Sequence, residues 1–426
     1  MIKLVSRRAA IVLAGGGLTL AVGMLPAQAA TSGWRTNGTV AVRGSVALFY
    51  GVGASSPSDA WTTGFSAKTK GSALPQPLIR HWTGKAWRVV TLPAKTAKAW
   101  AKQTPIITQV GVSSARSVWV FNSLQGSYLR LDGSRWSLGQ LPGASEKSGA
   151  LVLITAVKVF SGTDVWAFGL RSTISGTQSP YAARYNGSKW AQVTVPALPS
   201  GGGGISAVAA VSANDIWAVE SSTSSSTLPP ASDPAIAGAV AASPAARLAA
   251  ARLRHAASAT AAPVVLQWTP GAGWQQPAQQ PSFAATDQLT SGIAEPNGDV
   301  WFGGSADNTA NGTSPLTAEW NGSSWAVSDL PGKASSADLE LTAMAPDGTG
   351  GIWALAANNT SESERIWHLH GTTWSQAKAS FGKHAWLLES LALVPRTHSV
   401  WGVGTVQGSS KRSANGLIAV DGSVPR

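Results

Sequence analysis

Seven tryptophans recur along the chain in the same local frame. Each follows a small or aliphatic residue in a short apolar step, and a hydroxyl-bearing residue stands eleven positions before it. The seven tryptophans are Trp61, Trp119, Trp166, Trp217, Trp301, Trp353 and Trp401. The hydroxyl-bearing residues are Tyr50, Thr108, Thr155, Ser206, Thr290, Thr342 and Ser390. An offset that persists through seven copies indicates an array of one repeated unit, which is expected to fold as one cooperative body.

The repeated unit contains the pattern of four short strands. Residues 205–211 form an apolar run, a polar turn follows, and 216–219 is a second apolar run. In a later copy Asn-Gly separates two further runs, 316–320 and 325–327, and this dipeptide between apolar runs is a strong hairpin signal. Four antiparallel strands in about 50 residues is the size of one propeller blade. The sequence therefore predicts an all-β fold, a seven-bladed β-propeller of four-stranded antiparallel blades.

The two ends of the chain predict how the ring closes. The last unit ends with the run 417–422 and lacks a fourth strand. The segment 32–36 resembles 85–89, which follows the hairpin turn of the first unit. We therefore expect the N-terminal strand to complete the last blade, which removes the free sheet edges of the ring.

The N-terminal residues have the composition of an export signal. A basic start precedes a largely apolar run at 9–22, and a small-x-small cleavage site follows at 27–29. Residues 1–29 are therefore predicted to be a signal peptide of the general or the twin-arginine route, and 30–426 the propeller. The protein is expected to be secreted, extracellular and monomeric, with no transmembrane segment after signal removal.

One segment does not match a blade. Residues 222–262 are rich in serine, proline and alanine, and they interrupt the fourth unit between its second and third strands. Such a composition predicts a low-complexity, disordered insertion. The chain also has no cysteine, which excludes disulfides, thiolate metal sites and thiol catalysis.

The repeat carries a resemblance to a known class of proteins. Its pattern, S-x-x-D-[VI]-W-A followed by W-N-G-S-S-W, resembles the tryptophan-rich propellers secreted by high-GC Gram-positive bacteria (actinobacterial type), which are described as kelch-like or galactose-oxidase-like. The resemblance implies an extracellular binding role. Galactose oxidase activity would need a cysteine, which the chain lacks. The turn 131–136 resembles half of a sialidase Asp-box, but its leading serine is absent and no arginine cluster accompanies it.

Three sets of polar residues are candidates for a site within the repeat. The hydroxyl series either lines the central channel for a polar ligand or bonds the backbone of its own blade, and the second role is favoured. The aspartates before the tryptophans, such as Asp59 and Asp164, are expected to satisfy backbone donors rather than to bind metal. His368 and His370 share one strand face, but no third metal ligand is evident. No metal site, cofactor or catalytic residue is therefore predicted.

The loops between blades and between second and third strands carry a basic group with tryptophans. Because these loops open on one face of a propeller and blades 7 and 1 become neighbours, the group is expected to converge. Basic residues beside exposed indoles suit an anionic ligand, although scattered solvated lysines are the simpler interpretation. The residues of this loop-face patch are Lys68, Lys70, Lys95, Lys98, Trp100, Lys102, Lys383, His384, Trp386, Lys411 and Arg412.

These observations favour a non-catalytic binding or scaffold propeller that contacts an anionic glycan, a cell-wall polymer or a protein partner. The formal net charge of +12 would also suit nucleic acid, but no nucleic-acid-binding motif is present and none is expected as partner. The alternative is an extracellular glycoside hydrolase or lyase that uses loop carboxylates such as Glu362 and Glu364. That class needs two convergent carboxylates in a cleft.

Overall fold

The computed structural model describes twelve stretches of the chain. These are residues 33–68, 75–103, 105, 108–144, 150–173, 177–198, 203–222, 261–308, 312–330, 339–358, 363–408 and 413–424. The predicted signal peptide, 1–29, lies outside the described residues, and so does nearly all of the predicted insertion, 222–262. The described residues belong to one compact unit, Ser32–Arg426.

The first three blades follow an N-terminal strand, β1 (Trp34–Val40). Blade 1 contains β2 (Ser45–Ser56), β3 (Asp59–Lys68), β4 (Gln76–Trp82) and β5 (Trp87–Val89). A helix, α1 (Ala94–Lys102), follows it. Blade 2 contains β6 (Thr108–Ser114), β7 (Ser117–Asn122), β8 (Ser127–Asp132) and β9 (Arg135–Gln140). Blade 3 contains β10 (Leu151–Ser161), β11 (Asp164–Ser172), β12 (Gln178–Tyr185) and β13 (Trp190–Val193).

The remaining blades repeat this order. Blade 4 contains β14 (Gly204–Ser212), β15 (Asp215–Ser221), β16 (Val264–Thr269) and β17 (Gly273–Gln275). Blade 5 contains β18 (Gln288–Ala294), β19 (Val300–Asn308), β20 (Gly312–Trp320) and β21 (Trp325–Asp329). Blade 6 contains β22 (Leu339–Pro346), β23 (Ile352–Asn358), β24 (Ser363–His370) and β25 (Thr373–Gln376). After β26 (Ala379–Ser380), blade 7 contains β27 (Trp386–Leu393), β28 (Val400–Gln407) and β29 (Ala414–Asp421).

The sheets confirm a seven-bladed propeller that the N-terminal strand closes. In blades 1 to 6 the four strands pair in sequence order, and all of these pairings are antiparallel. In blade 7, β1 pairs antiparallel with β29, with Arg35 opposite Val420. On its other side β1 pairs in parallel with the two-residue strand β26. The N-terminal strand therefore takes the place of the missing fourth strand.

The core lies between adjacent blades, and the repeated tryptophans fill it. Six of the seven are at most 7% exposed, and Trp301 is half-buried. Trp119 packs against Val165 and Tyr181 of the next blade. Trp401 packs against Val52 of blade 1, so the closing interface has the same design. Burial of each large ring contributes about 2–3 kcal/mol, which explains why the indoles recur as scaffold.

Local chemistry fixes the hairpins and bulges that shape each blade. In the third-to-fourth-strand turn of blade 5, Gly322 has a φ of +88°, and the Asn321 side-chain carbonyl accepts the backbone N–H of Ser323 at 3.0 Å. Glycine tolerates this left-handed conformation without strain. Gly64 of blade 1 lies so close to Leu48 that an added Cβ would clash with the Leu48 carbonyl oxygen.

The structure contains one helix among the described residues, α1, and it is too short to span a bilayer.

Candidate functional site

The hydroxyl series marks a bulge on the first strand of most blades. The strand register passes over Tyr50, Thr155, Ser206, Thr290 and Thr342. Thr155 Oγ1 donates to the carbonyl of Ile205 in blade 4 at 2.7 Å, and Thr290 Oγ1 donates to that of Leu341 in blade 6 at 2.7 Å. These bonds join neighbouring blades, so they support the structural role and extend it beyond the blade of origin.

Two members of the series depart from this pattern. Thr108 pairs with Asn122 in regular register. Ser390 pairs with Val403, and the bulged residue of blade 7 is Glu389. In blade 3 the residue opposite the repeated tryptophan stands eight positions before it, whereas in blade 7 it stands nine positions before. Because the turn in blade 7 holds this additional residue, the fixed offset of eleven identified the wrong position, Ser390.

Third-strand side chains bond three of the turn aspartates, Asp59, Asp164 and Asp215, which corrects the prediction that these three serve backbone donors. Asp59 accepts hydrogen bonds from Trp61 Nε1 at 2.9 Å and from His81 Nε2 at 2.7 Å. The His81 ring stacks on Trp61 with centroids 4.2 Å apart. Asp215 likewise accepts from Gln267 at 2.8 Å. Each of these blades therefore builds a polar clasp, defined as a turn carboxylate bonded to the third-strand side chain that lies beside the tryptophan.

His368 belongs to such a clasp and not to a metal-binding pair with His370. Its Nε2 lies 2.8 Å from Asp347 Oδ2, and its ring stacks on Trp353 with centroids 4.0 Å apart. Burial alone would raise the pKa of Asp347, but hydrogen bonds from Thr349, His368 and the backbone lower it below its ordinary value. Among the described residues no three His, Cys, Asp or Glu side chains are arranged to hold a metal ion.

Helix α1 carries the part of the loop-face patch that the structure brings together. It lies in the connection between blades 1 and 2. Lys95, Lys98 and Lys102 are exposed, and their spacing places them along one face of the helix. The opposite face packs into the interface between blades 1 and 2. No acidic residue lies in the first turn of the helix. The outward face of α1 therefore presents three lysines in a row.

Trp100 is placed differently from the prediction. The sequence predicts an exposed ring, but Trp100 is only 1% exposed and packs with Trp61 and Val118. A buried ring cannot stack on a ligand. Trp100 instead anchors α1 to the interface, which fixes the direction in which the lysines point.

The other members of the patch lie elsewhere on the ring. Lys383 and His384 are exposed in the connection before β27, two blades away from α1 around the ring. Trp386 is half-buried and packs edge-to-face against Phe381 with centroids 4.7 Å apart. Lys68 is exposed at the end of β3. Lys70, Lys411 and Arg412 lie outside the described residues.

Two buried glutamates hold backbone amides between blades. Glu220 is 1% exposed and accepts the N–H of Leu198 at 3.1 Å, and burial raises its pKa to about 7. Glu364, predicted as a loop carboxylate, lies on β24, accepts the N–H of Leu388 at 2.6 Å, and has a pKa that burial raises well above its ordinary value. Glu362 lies outside the described residues. Both described glutamates therefore have structural partners.

Two clefts lie between adjacent blades. One, of about 380 Å³, is lined by residues of blades 2 and 3 around Arg130. The other, of about 480 Å³, lies between blades 4 and 5 and is lined by Asp215, Asp299, Trp217 and Trp320, among others. Asp299 accepts a hydrogen bond from Asn297 at 2.5 Å. In the second cleft, the carboxylates of two turns, Asp215 and Asp299, line the same cavity.

Comparison with known proteins adds similarity of fold only. The chain matches no protein-family model and no curated protein. It is similar to a solved protein of unknown function from Dyadobacter fermentans, with 10% identity, coverage of 92% of this chain and 100% of that one, and a TM-score of 0.46. For the WD40 domain of Toxoplasma gondii coronin the identity is 9%, the coverage 93% and 87%, and the TM-score 0.46. For an ulvan lyase, a polysaccharide lyase, these values are 9%, 90% and 94%, and 0.49. Similarities of this size carry no argument about function, which must come from the residues of this chain.

Proposed function

We propose that this protein is a secreted, non-catalytic binding propeller that holds an anionic glycan or cell-wall polymer against the loop face around α1. The observation that carries the proposal is the outward face of α1, where Lys95, Lys98 and Lys102 are exposed while Trp100 is buried beneath them. A helix that departs from the repeat and presents three cations and no acidic side chain outward is suited to a repeating polyanion.

The geometry of the helix supports contact with a polymer rather than with a single small anion. A helix rises about 1.5 Å per residue, so Lys95 and Lys102 are separated by roughly 10 Å along its axis. Successive charges of an extended polyanion can therefore meet successive lysines. Removal of the predicted signal peptide takes away three cations and lowers the formal net charge from +12 to +9. This remaining positive charge adds a long-range attraction to polyanions, which salt weakens.

The test compares two variants that remove the same number of charges from opposite faces of the ring. Lys95, Lys98 and Lys102 are changed to Gln in one variant. In the control, the exposed basic residues Lys85, Arg88 and Arg116, which lie in or next to the turns of the opposite face, are changed to Gln. Dextran sulfate and poly(glycerol phosphate) serve as charged polymers, with dextran as the neutral comparison.

The expected result follows from the three ionic interactions that the α1 variant removes. At about 0.5–1 kcal/mol for each exposed interaction, the α1 variant should bind the charged polymers roughly 10- to 100-fold more weakly in calorimetry. The control variant should lose only the small nonspecific part of its affinity for the charged polymers. Neither variant should bind dextran. Equal weakening by both variants would show that the overall charge, and not α1, attracts the polymer.

A carbohydrate-active enzyme is the second candidate, because Asp215 and Asp299 line the same 480 Å³ cleft. A glycosidase would need both as a working pair of acid and base or nucleophile. Asp215 is already engaged by Gln267 at 2.8 Å, which favours the binding role. Release of reducing or unsaturated sugar ends from a polysaccharide panel, abolished by Asp299→Asn, would establish the enzyme instead.

A further inference from the structure

Two neighbouring blades carry an arginine at the same position of the repeat. Arg130 on β8 pairs with Trp119, and Arg184 on β12 pairs with Trp166. Each guanidinium lies over its indole, at 4.9 Å from the ring centroid of Trp119 and 5.3 Å from that of Trp166. The two arginines differ in the groups that neutralise their charge.

Blade 3 neutralises its arginine with a carboxylate from its own sheet. Asp164, two residues before Trp166, accepts hydrogen bonds from Arg184 Nε at 2.9 Å and from Nη2 at 2.8 Å. A bidentate bond of this kind is among the strongest that an arginine makes. In blade 2 the equivalent position, two residues before Trp119, is Ser117. The carboxylate of the clasp is therefore missing from blade 2.

Arg130 has weaker partners in its place. Its Nη1 donates to the Tyr185 hydroxyl at 2.8 Å, and its Nη2 lies 3.0 Å from an Asp132 carboxylate that is 68% exposed. Water weakens such an exposed pair. Arg130 itself is 21% exposed and lies between the rings of Trp119 and Tyr185, and its Nε has no hydrogen-bond partner among the described residues. A largely buried cation without a buried carboxylate is unfavourable, and an anionic ligand would relieve it.

Arg130 lines the cleft of about 380 Å³ between blades 2 and 3. This volume is at the lower end of the range for small-molecule sites. None of the residues that line the cleft is acidic, and Lys189 supplies a second cation. The walls also offer hydroxyl and amide groups beside aromatic rings, from Ser137, Gln140, Ser188, Tyr128 and Trp190.

We propose that this cleft binds a carboxylate-bearing sugar, that is, a uronic acid residue. The sugar carboxylate pairs with the Arg130 guanidinium and supplies the charge that Asp164 supplies in blade 3. The ring hydroxyls meet Ser137, Gln140 and Ser188. The site uses no residue of α1, so it is independent of polymer binding by the loop face.

The sharpest test restores the missing carboxylate. In Ser117→Asp the new side chain is placed to occupy the Arg130 guanidinium as Asp164 occupies Arg184, while the arginine itself is retained. Ser212→Asp, in the equivalent exposed turn of blade 4, adds the same charge away from the cleft. Calorimetry or ligand-observed NMR measures the binding of glucuronate, with glucose and acetate as comparisons.

Wild type and Ser212→Asp are expected to bind glucuronate more tightly than glucose or acetate, and Ser117→Asp at least tenfold more weakly than wild type. Arg130→Lys keeps the charge but loses the fork-shaped donor set, so it should also weaken glucuronate binding in a variant that circular dichroism shows to be folded. Unchanged affinity in Ser117→Asp with that variant folded, or equal binding of glucose and glucuronate, overturns the proposal. Dextran sulfate binding should be unchanged in Arg130→Lys, which separates this site from α1.

Discussion

Blades 3 and 5 follow the same repeat but distribute charge in opposite ways. In blade 3 Asp164 holds Arg184 with two hydrogen bonds of 2.8 and 2.9 Å. In blade 5 the position of the arginine is taken by Glu319, and the turn carries Asp299 and Glu295. Both blades keep the repeated tryptophan. The comparison shows that the scaffold accepts either a balanced or an acidic polar cluster, so these polar positions are free to differ between blades.

Burial and nearby carboxylates raise the pKa of two glutamates in blade 5. Burial raises the pKa of Glu295 to about 7, with Asp347 and Asp299 adding to the shift. Burial also raises the pKa of Glu319, and Asp299 contributes again. Glu295 is 4% exposed, and neither of its carboxylate oxygens has a hydrogen-bond partner among the described residues. Blade 5 therefore lacks the cation that would neutralise its carboxylates, whereas in blade 3 Asp164 and Arg184 neutralise each other.

The largest difference should come from removing the tryptophans. Trp166 is fully buried between blades 3 and 4, whereas Trp301 is half-buried. We expect Trp166→Ala to lower the free energy of unfolding by about 3–5 kcal/mol, and Trp301→Ala by about 1–2 kcal/mol, because less buried surface is lost. Guanidinium denaturation followed by circular dichroism measures both. Equal losses would mean that the two tryptophans contribute equally to the free energy of unfolding.

The next effect is a dependence of stability on pH that originates in blade 5. Because the pKa of Glu295 in the folded state, about 7, lies above the ordinary glutamate value of 4.5, the folded state binds this proton more tightly than the unfolded state. The resulting stabilisation is complete below about pH 4.5 and is lost as the pH rises through about 7. We expect a contribution of about 2 kcal/mol between pH 5.5 and pH 8.

The variant Glu295→Gln isolates this contribution. Denaturation curves at pH 5.5 and 8 should converge in the variant, apart from the contributions of Glu220 and Glu364, because burial raises the pKa of both glutamates. Asp132→Asn, which removes a carboxylate that is 68% exposed, is the control. If Glu295→Gln keeps the full pH dependence of the wild type, the dependence does not originate in blade 5.

The smallest effects concern the turn aspartates themselves. Asp164→Asn removes the charged acceptor of Arg184, and we expect a loss of about 1–2 kcal/mol, since this ion pair is partly exposed. Asp299→Asn removes a carboxylate that lies near Glu319 and Glu295, so stability should be unchanged or higher by up to about 0.5 kcal/mol. Thermal melts at pH 7.5 measure whether each variant is less or more stable than the wild type. A loss of equal size in Asp299→Asn would contradict the contrast between the blades.

The sequence was sufficient for the architecture because its signals are local and repeated. The repeated tryptophans at a fixed spacing indicate the strands. Asn-Gly dipeptides such as Asn321-Gly322 indicate the hairpin turns, and both signals extend over only a few residues. The ring closure through Trp34 also followed, since its segment resembles the fourth strand of blade 1. The fixed offset of eleven missed the bulge in two blades. Thr108 of blade 2 lies in regular register, and one additional turn residue in blade 7 moves the bulge from Ser390 to Glu389.

The clasps could not be predicted, because they depend on the register between strands two and three. His81 stands 20 positions after Trp61, but Arg130 stands 11 positions after Trp119, since loops of different length separate the strands. Similarly, the spacing of Lys95, Lys98 and Lys102 was visible, but the burial of Trp100 requires knowledge of the interface that receives it. Residue type and spacing indicated these groups, and only the packing assigned their roles.

In this protein the repeat forms the scaffold, and ligands are expected to bind where the ring departs from the repeat. Hydrogen–deuterium exchange with and without dextran sulfate distinguishes these two parts of the molecule. We expect slower exchange in 94–103, which contains α1, and no change in the balanced turns of blades 1, 3 and 6 that contain Asp59, Asp164 and Asp347. Protection of those turns, with α1 unaffected, would contradict the account.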